Sequence, residues 1–405
     1  MSEQVAAETQ SFYFNPWDES FRANPYPHYT PLLSGPPRIL DMGFKFVLAA
    51  RYADVLATLR DHATFSSVQP KEMGFDEQNA LFLDAPTMLG SDPPTQTRLR
   101  RLVARDFTPR RIRELEPRIR EIAARLVDDA ANRGEFDVMH DLANPLPVMV
   151  ISELLGVAPE QYKQFKRWSD KVVEGDNAAP GMPMPQEIKD AASQLREYFA
   201  REIERRRSNP GADLVSALVA HHDADSESLS ADELLNFVVL LLLAGNETTT
   251  NLIGNGSLAL GRHPGAIEAL RAKPELMRTA IEEMLRYDGP VQSTFRTALR
   301  DCEIAGTSVP AKTGIFVIVA AANRDPAQFS DPERFDITRT PNEHVAFGEG
   351  IHFCIGAPLA RLEATIAFET MLARFPNLKL KNPDAPLTYK GSYFLRGLSS
   401  LPMAI

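Results

Sequence analysis

The sequence predicts a mainly α fold with small β-sheets. Apolar residues recur at helical spacing over most of the chain, most evenly from Ile112 to about Ala200. β-branched and aromatic runs bounded by turn residues are short, and they fall near residues 37–49, 295–320 and 380–403. Ser230-Ala231-Asp232-Glu233 has Ser at N-cap and Glu at N3, a capping box that starts the most apolar helix, Leu234 to Leu243. A helix apolar on nearly all sides belongs inside a core. At 405 residues, 44% hydrophobic and 24% charged, the chain can bury one.

The same bulk properties exclude several classes. A net charge of −10 argues against nucleic acid or an anionic membrane as the main partner. The first residues carry neither a basic region nor an apolar one, so no signal peptide is expected. The apolar run Phe237–Gly245 is too short to span a bilayer. Two cysteines, one of them in the polar Asp301-Cys302-Glu303, do not make a disulfide framework. A cytoplasmic protein is the economical reading.

Taken in order, the segment from Phe14 to Pro27 is aromatic and proline-punctuated, and is expected to be extended. Runs at 37–40 and 44–48 flank Gly43 as a short hairpin, and Arg51–Arg60 reads as a helix. Residues 66–91 show no period and read as a long loop, a type that is often functional. Asp92-Pro93-Pro94 leads into a helix rich in arginine: Arg98, Arg100, Arg101, Arg105, Arg110, Arg111 and Arg113. Gly175 to Pro185, with three prolines and two glycines, interrupts the helical region. Mid-way through the apolar helix, polarity intrudes as Ala244-Gly245-Asn246-Glu247-Thr248-Thr249-Thr250. That break is costly, about 1 kcal/mol for Gly relative to Ala and more for a carboxylate without a partner. Thr248 can bond back to the carbonyl of Ala244 and bend the helix there. Residues 313–320 read as a strand, and Gly391–Gly397 as a hairpin with its tip near Phe394.

The most informative run is Phe347-Gly348-Glu349-Gly350-Ile351-His352-Phe353-Cys354-Ile355-Gly356. The helix after it opens at Ala357-Pro358, with proline suited to a first turn. Cys354 therefore lies at a helix N-terminus, where free N–H groups and the dipole favour a thiolate. Such a thiolate, open on one face, is what a haem iron requires as axial ligand.

This run resembles the haem-binding loop of the cytochrome P-450 family, the haem-thiolate monooxygenases, and the likeness extends from about Asn15 to the end. It implies a single domain over 1–405, with haem b (iron protoporphyrin IX) between the long central helix and the cysteine-loop helix. Cys354 would be the metal ligand, with Phe347, Gly348 and Gly356 shaping its loop. Ala244-Gly245 and Glu247-Thr248 resemble the family's kinked oxygen-side motif, which makes Thr248 and Glu247 the proton-delivering pair. Arg100, Arg296 and His352 would hold propionates. Gln96 stands where the family has histidine, so its own propionate contact is an open point. Glu283-x-x-Arg286 resembles a buried structural pair, completed by Arg339, with Arg334 as fallback. Phe82, Leu83, Leu241, Val291, Gln292 and Phe394 would line the substrate pocket, with 175–185 as its lid. The expected partners are a small apolar substrate, O2, and ferredoxin with ferredoxin reductase docking on the arginine patch, around a monomeric enzyme. A peroxide-driven peroxygenase and a non-catalytic haem-thiolate sensor are the alternatives. The Glu247-Thr248 pair argues against both.

Overall fold

The computed structural model describes residues 14–41, 45–69, 85–104, 107–175, 183–224, 229–390 and 394–405. Its axis is the 32-residue helix Ala231–Arg262. At its start Ser230 Oγ accepts from the Glu233 amide, while the Glu233 carboxylate accepts from the Ser230 amide at 2.8 Å. The same carboxylate pairs with Arg98, so one cap also anchors the helix Thr95–Ala104. The central helix has the length and mean hydropathy to cross a bilayer, although its apolar run Phe237–Gly245 alone does not. Most of it is buried within the fold, packed on the helices Pro145–Leu154, Gln186–Ser208, Met277–Asp288 and Ala357–Arg374.

Two glycines set how closely the neighbours approach. A Cβ at Gly254 would collide with Met139 Sδ. One at Gly256 would lie 2.7 Å from Met284 Sδ and 2.8 Å from the Phe368 ring. Side-chain-free positions in a core helix sacrifice propensity, and here the return is close packing on two sides.

The largest sheet orders its strands as Arg38–Asp41, Lys45–Ala49, Gly314–Val317, Thr294–Ala298 and Phe65–Ser66. Lys45–Ala49 runs parallel to Gly314–Val317, and the other pairs are antiparallel. Its Phe46, Phe295 and Phe316 stack into a core of their own, on which Phe21 and Tyr29 rest. A second sheet joins Phe136–Asp137, Pro402–Ala404 and Lys379–Leu380.

The entry segment differs from expectation. Glu19–Ala23 and Tyr26–Tyr29 are helical, because the Asp18 carboxylate caps the Ser20 amide at 2.8 Å and proline occupies the first turn of the second helix. The 112–200 region is also more broken than its periodicity suggests. Gly134 ends one helix in the left-handed region, and a strand and a π-helical turn, Met139–Ala143, follow before the next. The hairpin at 38–49 forms as expected, with Gly43 outside the described residues.

Candidate functional site

The cysteine loop is held from several sides. The Cys354 amide donates to Phe347 O at 2.9 Å and the Gly348 amide to Val345 O at 2.9 Å. Gly348 and Gly350 have φ of +72° and +69°, a region that costs other residues strain. At Gly350 a Cβ would also sit 2.8 Å from Leu59 O. The Cys354 side chain is exposed on one face, at the floor of a hollow otherwise enclosed by protein. The amides of Gly356 and Ala357 donate to its sulfur, and Arg100 and Arg361 add positive charge. Burial nevertheless outweighs them and pushes the thiol up. The two amides and the two guanidiniums act toward the thiolate, as the sequence suggests, and a metal cation at the sulfur would add to them.

Positive groups crowd the rim. Arg296 is buried, and its guanidinium donates to the neighbouring Phe295 carbonyl at 2.7 Å. Burial pulls it down to about 10, against the opposing charge of Asp92. His352 shares a 2.9 Å hydrogen bond with Ser67 Oγ, and burial followed by the charge of Arg296 holds it down to about 4. Arg100 is also depressed by burial. Among the described residues neither Arg100 nor Arg296 has a carboxylate in ion-pair range. Gln96, fully buried, donates its amide to Ile351 O at 2.7 Å. It braces the cysteine loop, a role other than the propionate contact considered from the sequence.

The polar break in the central helix turns out to serve four different neighbours. Thr248 Oγ1 donates to Ala244 O at 2.7 Å, the back-bond its spacing suggested, and the helix continues through it unbroken. Asn246 donates to Ser169 Oγ at 3.1 Å and Thr250 to Ala143 O at 2.9 Å. Glu247, 2% exposed, is gripped at Oε1 by Lys166 (2.8 Å) and at Oε2 by Lys390 (3.0 Å). Burial alone would raise its carboxyl, but the two ammonium groups prevail and bring it down to about 2. Ala244 and Thr248 bare a spot on a helix whose flanks are buried. Gly245 points elsewhere: a Cβ there would meet Ile151 at 3.5 Å.

Comparison with known proteins decides the family. A cytochrome P-450 profile matches residues 37–399. The cytochrome P-450 monooxygenase PikC of Streptomyces venezuelae is 43% identical over 391 residues, 95% of this chain and 92% of the relative. The 6-deoxyerythronolide B hydroxylase of Saccharopolyspora erythraea is 38% identical over 398 residues, 96% and 97% of the two chains. Among solved structures, PksS, the cytochrome P-450 of the Bacillus subtilis bacillaene polyketide synthase, superposes with a TM-score of 0.87 at 38% identity, covering 97% of this chain and 99% of that one.

The chain belongs to the cytochrome P-450 family. It is an oxidoreductase of the monooxygenase class, and the fold is the cytochrome P-450 fold. The residues present fit the family's haem-thiolate group. A sulfur open on one face with two backbone donors suits a metal ligand, and the buried Arg296, with no carboxylate in ion-pair range among the described residues, suits a group that carries carboxylates.

The support behind the cytochrome P-450 cysteine loop is ionic. Glu283 is fully buried and accepts from Arg286 at 2.8 Å through both oxygens, and from Arg339 at 3.1 Å. The Arg339 guanidinium, not that of Arg334, completes the cluster, and Arg334 lies exposed. Sequence reasoning missed a second support. Glu282 binds Arg361 at 2.7 Å and His344 at 3.0 Å, while Arg361 stacks on the Phe347 ring. Nor did it find Lys166 and Lys390, which lie 81 and 143 residues from Glu247 in the chain. No local signal links residues so far apart.

Other expected site residues are not gathered. Leu241 is buried in the main core cluster. Gln292 donates its amide nitrogen to Gly289 O at 2.9 Å and its oxygen accepts from Tyr29 OH at 3.3 Å, which ties down the entry segment. Val291 bridges Leu395, and Phe394 packs on the aromatic core of the sheet. Phe82, Leu83, Arg105 and most of the expected lid lie outside the described residues. Of the arginine patch, Arg98 turns to Glu233 and Arg110 pairs with Glu114 at 3.1 Å, while Arg101, Arg111 and Arg113 stay exposed.

Proposed function

We propose that this enzyme hydroxylates, or otherwise oxygenates, a bulky apolar molecule of the polyketide type, using O2 and two electrons from a ferredoxin served by its reductase. Haem b, held through Cys354, supplies the oxygen chemistry. The observation that carries the reading is the half-open sulfur of Cys354 with two backbone donors, beside Arg100 and Arg296, which have no carboxylate in ion-pair range among the described residues. Arg100, Arg296 and His352 hold the propionates, and Gln96 fixes Ile351 so that the loop keeps its shape. The polyketide class is taken from relatives named for 6-deoxyerythronolide B and for a polyketide synthase. The cytoplasm is the expected compartment, and nucleic acid has no part.

Thr248 presents a hydroxyl at the bared spot of the central helix and holds a proton at Oγ1. Glu247 is the acid that resupplies it, but as it stands both of its oxygens are occupied by lysines. Glu247 is ionised between the two lysines, so it would first take a proton from water and then pass it to Thr248 Oγ1; loosening Lys166 or Lys390 would raise its carboxyl and ease that uptake.

Cys354→Ser tests the ligand. The reduced protein with carbon monoxide should lose the thiolate-type Soret band, and a variant that keeps it refutes the assignment. Thr248→Ala should still consume reducing equivalents but release more peroxide and less product. A set of polyketides and other apolar compounds, screened for a low-to-high-spin shift, identifies the substrate class.

A further inference from the structure

The second support of the cysteine loop is an ion pair with a fixed direction. Arg361, on the helix Ala357–Arg374, grips Glu282 of the helix Met277–Asp288 through two hydrogen bonds, Nε to Oε1 and Nη2 to Oε2, both 2.7 Å. Its guanidinium carbon lies 4.5 Å from the centre of the Phe347 ring, and Phe347 O accepts from the Cys354 amide at 2.9 Å. The positive end of the pair therefore rests on the residue that holds Cys354, and the negative end belongs to the neighbouring helix. His344 fixes the anion from a third side. Its Nδ1 accepts from the Ala346 amide at 3.2 Å, so Nε2 carries the proton and donates to Glu282 Oε2 at 3.0 Å. A ring in that state is neutral and adds no charge of its own. Burial would raise the Glu282 carboxyl, but Arg361 and His344 hold it down at about 2, so the pair is ionised. A two-pronged grip on an anchored carboxylate leaves the guanidinium one place to stand.

We propose that this pair sets the reduction potential of the haem iron: Arg361 is the cation that favours the reduced state, and Glu282 is the positioning residue that keeps it on Phe347 and moderates its charge. The inference rests on Cys354 as the iron's ligand. The first electron, passed from the ferredoxin, takes ferric iron to ferrous and adds one negative charge beside the sulfur, with no bond made or broken. A fixed cation nearby stabilises that added charge, and a fixed anion opposes it. Arg361, with Arg100, already favours the charged form of the sulfur.

The test is an optical redox titration of the haem-loaded protein without substrate. Arg361→Gln should shift the ferric–ferrous equilibrium at least threefold toward ferric, a fall of about 28 mV for one electron. Glu282→Gln, which keeps the shape and removes the negative charge, should shift it by a similar factor the other way. The double variant should return close to the parent, and Arg361→Lys, which keeps the charge without the fork, should recover much of the shift. A purely structural role would move both single variants in one direction and add in the double. The carbon monoxide spectrum separates this tuning from the ligand assignment beneath it. With the thiolate-type band intact in every variant, potentials equal to the parent's, or shifts of one sign, overturn the tuning alone. A parent without that band overturns the ligand assignment and the tuning with it.

Discussion

Glu247 shows how two neighbours decide the chemistry of one buried group. In its enclosed position a lone carboxylate would take up a proton, yet Lys390 and Lys166 hold its carboxyl at about 2. A carboxyl depressed in the folded state adds stability that is fully present above its ordinary value of 4.5 and is lost as pH falls toward 2. Asp170, hydrogen-bonded to Glu247 and pushed up to about 6 by burial, shifts the opposite way and offsets part of this limb, so replacing both lysines with methionine should lessen the loss between pH 5 and pH 3 without removing it. Urea midpoints of parent and variant at pH 5 and pH 3 measure it, and parallel losses in the two proteins would contradict the clamp. Gln96 makes a smaller, sharper case. Gln96→Leu keeps the volume but leaves the half-buried Ile351 O without its donor, at about 1 kcal/mol. Haem should pass from that variant to apomyoglobin about tenfold faster or more, whereas Gln96→Glu, if it enters protonated, should restore much of the retention.

Among the elements, the central helix and the helix Met277–Asp288 carry the fold in opposite ways. The first relies on fit. Gly256→Ala gains helix propensity but drives a methyl into Met284 and Phe368, so it should cost about 1–3 kcal/mol net; a melting temperature equal to the parent's would show that those side chains swing aside freely. The second relies on charge. Glu283→Ala would leave Arg286 and Arg339 facing each other in a buried site, at about 3–5 kcal/mol. Its chemical unfolding midpoint should fall accordingly, and the cysteine loop should loosen with it, because the Glu283 carboxylate also accepts from the Asp336 amide and from Asn342. Converting Glu283 to Gln, which keeps the shape and drops the charge, should recover part of the loss.

For the whole molecule, the sequence was legible wherever the decisive residues are neighbours in the chain. The capping box, the Thr248 back-bond, the Glu283–Arg286 pair and the cysteine loop all lie within a few residues, so spacing alone carried them. Contacts closed over long loops were not legible: Lys390 on Glu247, Gln96 on Ile351, Tyr29 on Gln292. Side-chain direction at a given register was equally hidden: a Cβ at Gly245 would meet Ile151, and Leu241 is buried in the main core cluster. Charge on the molecular scale lies between these cases. The chain is acidic overall, at −10, yet Arg101, Arg111 and Arg113 remain exposed, and the short helix Pro109–Glu114 that carries Arg111 and Arg113 packs on the cysteine-loop helix Ala357–Arg374. A ferredoxin approaching an acidic protein is repelled except at such a patch, so the patch should govern encounter rate more than affinity. Reversing Arg111 and Arg113 to glutamate should slow first-electron transfer from a ferredoxin more than about tenfold at low salt. The deficit should shrink as ionic strength rises and the Debye length falls to about 3 Å at 1 M. The substrate-induced spin shift, which owes nothing to this face, should stay as in the parent. If the reversed variant accepts electrons at the parent rate in low salt, the docking face lies elsewhere on the molecule.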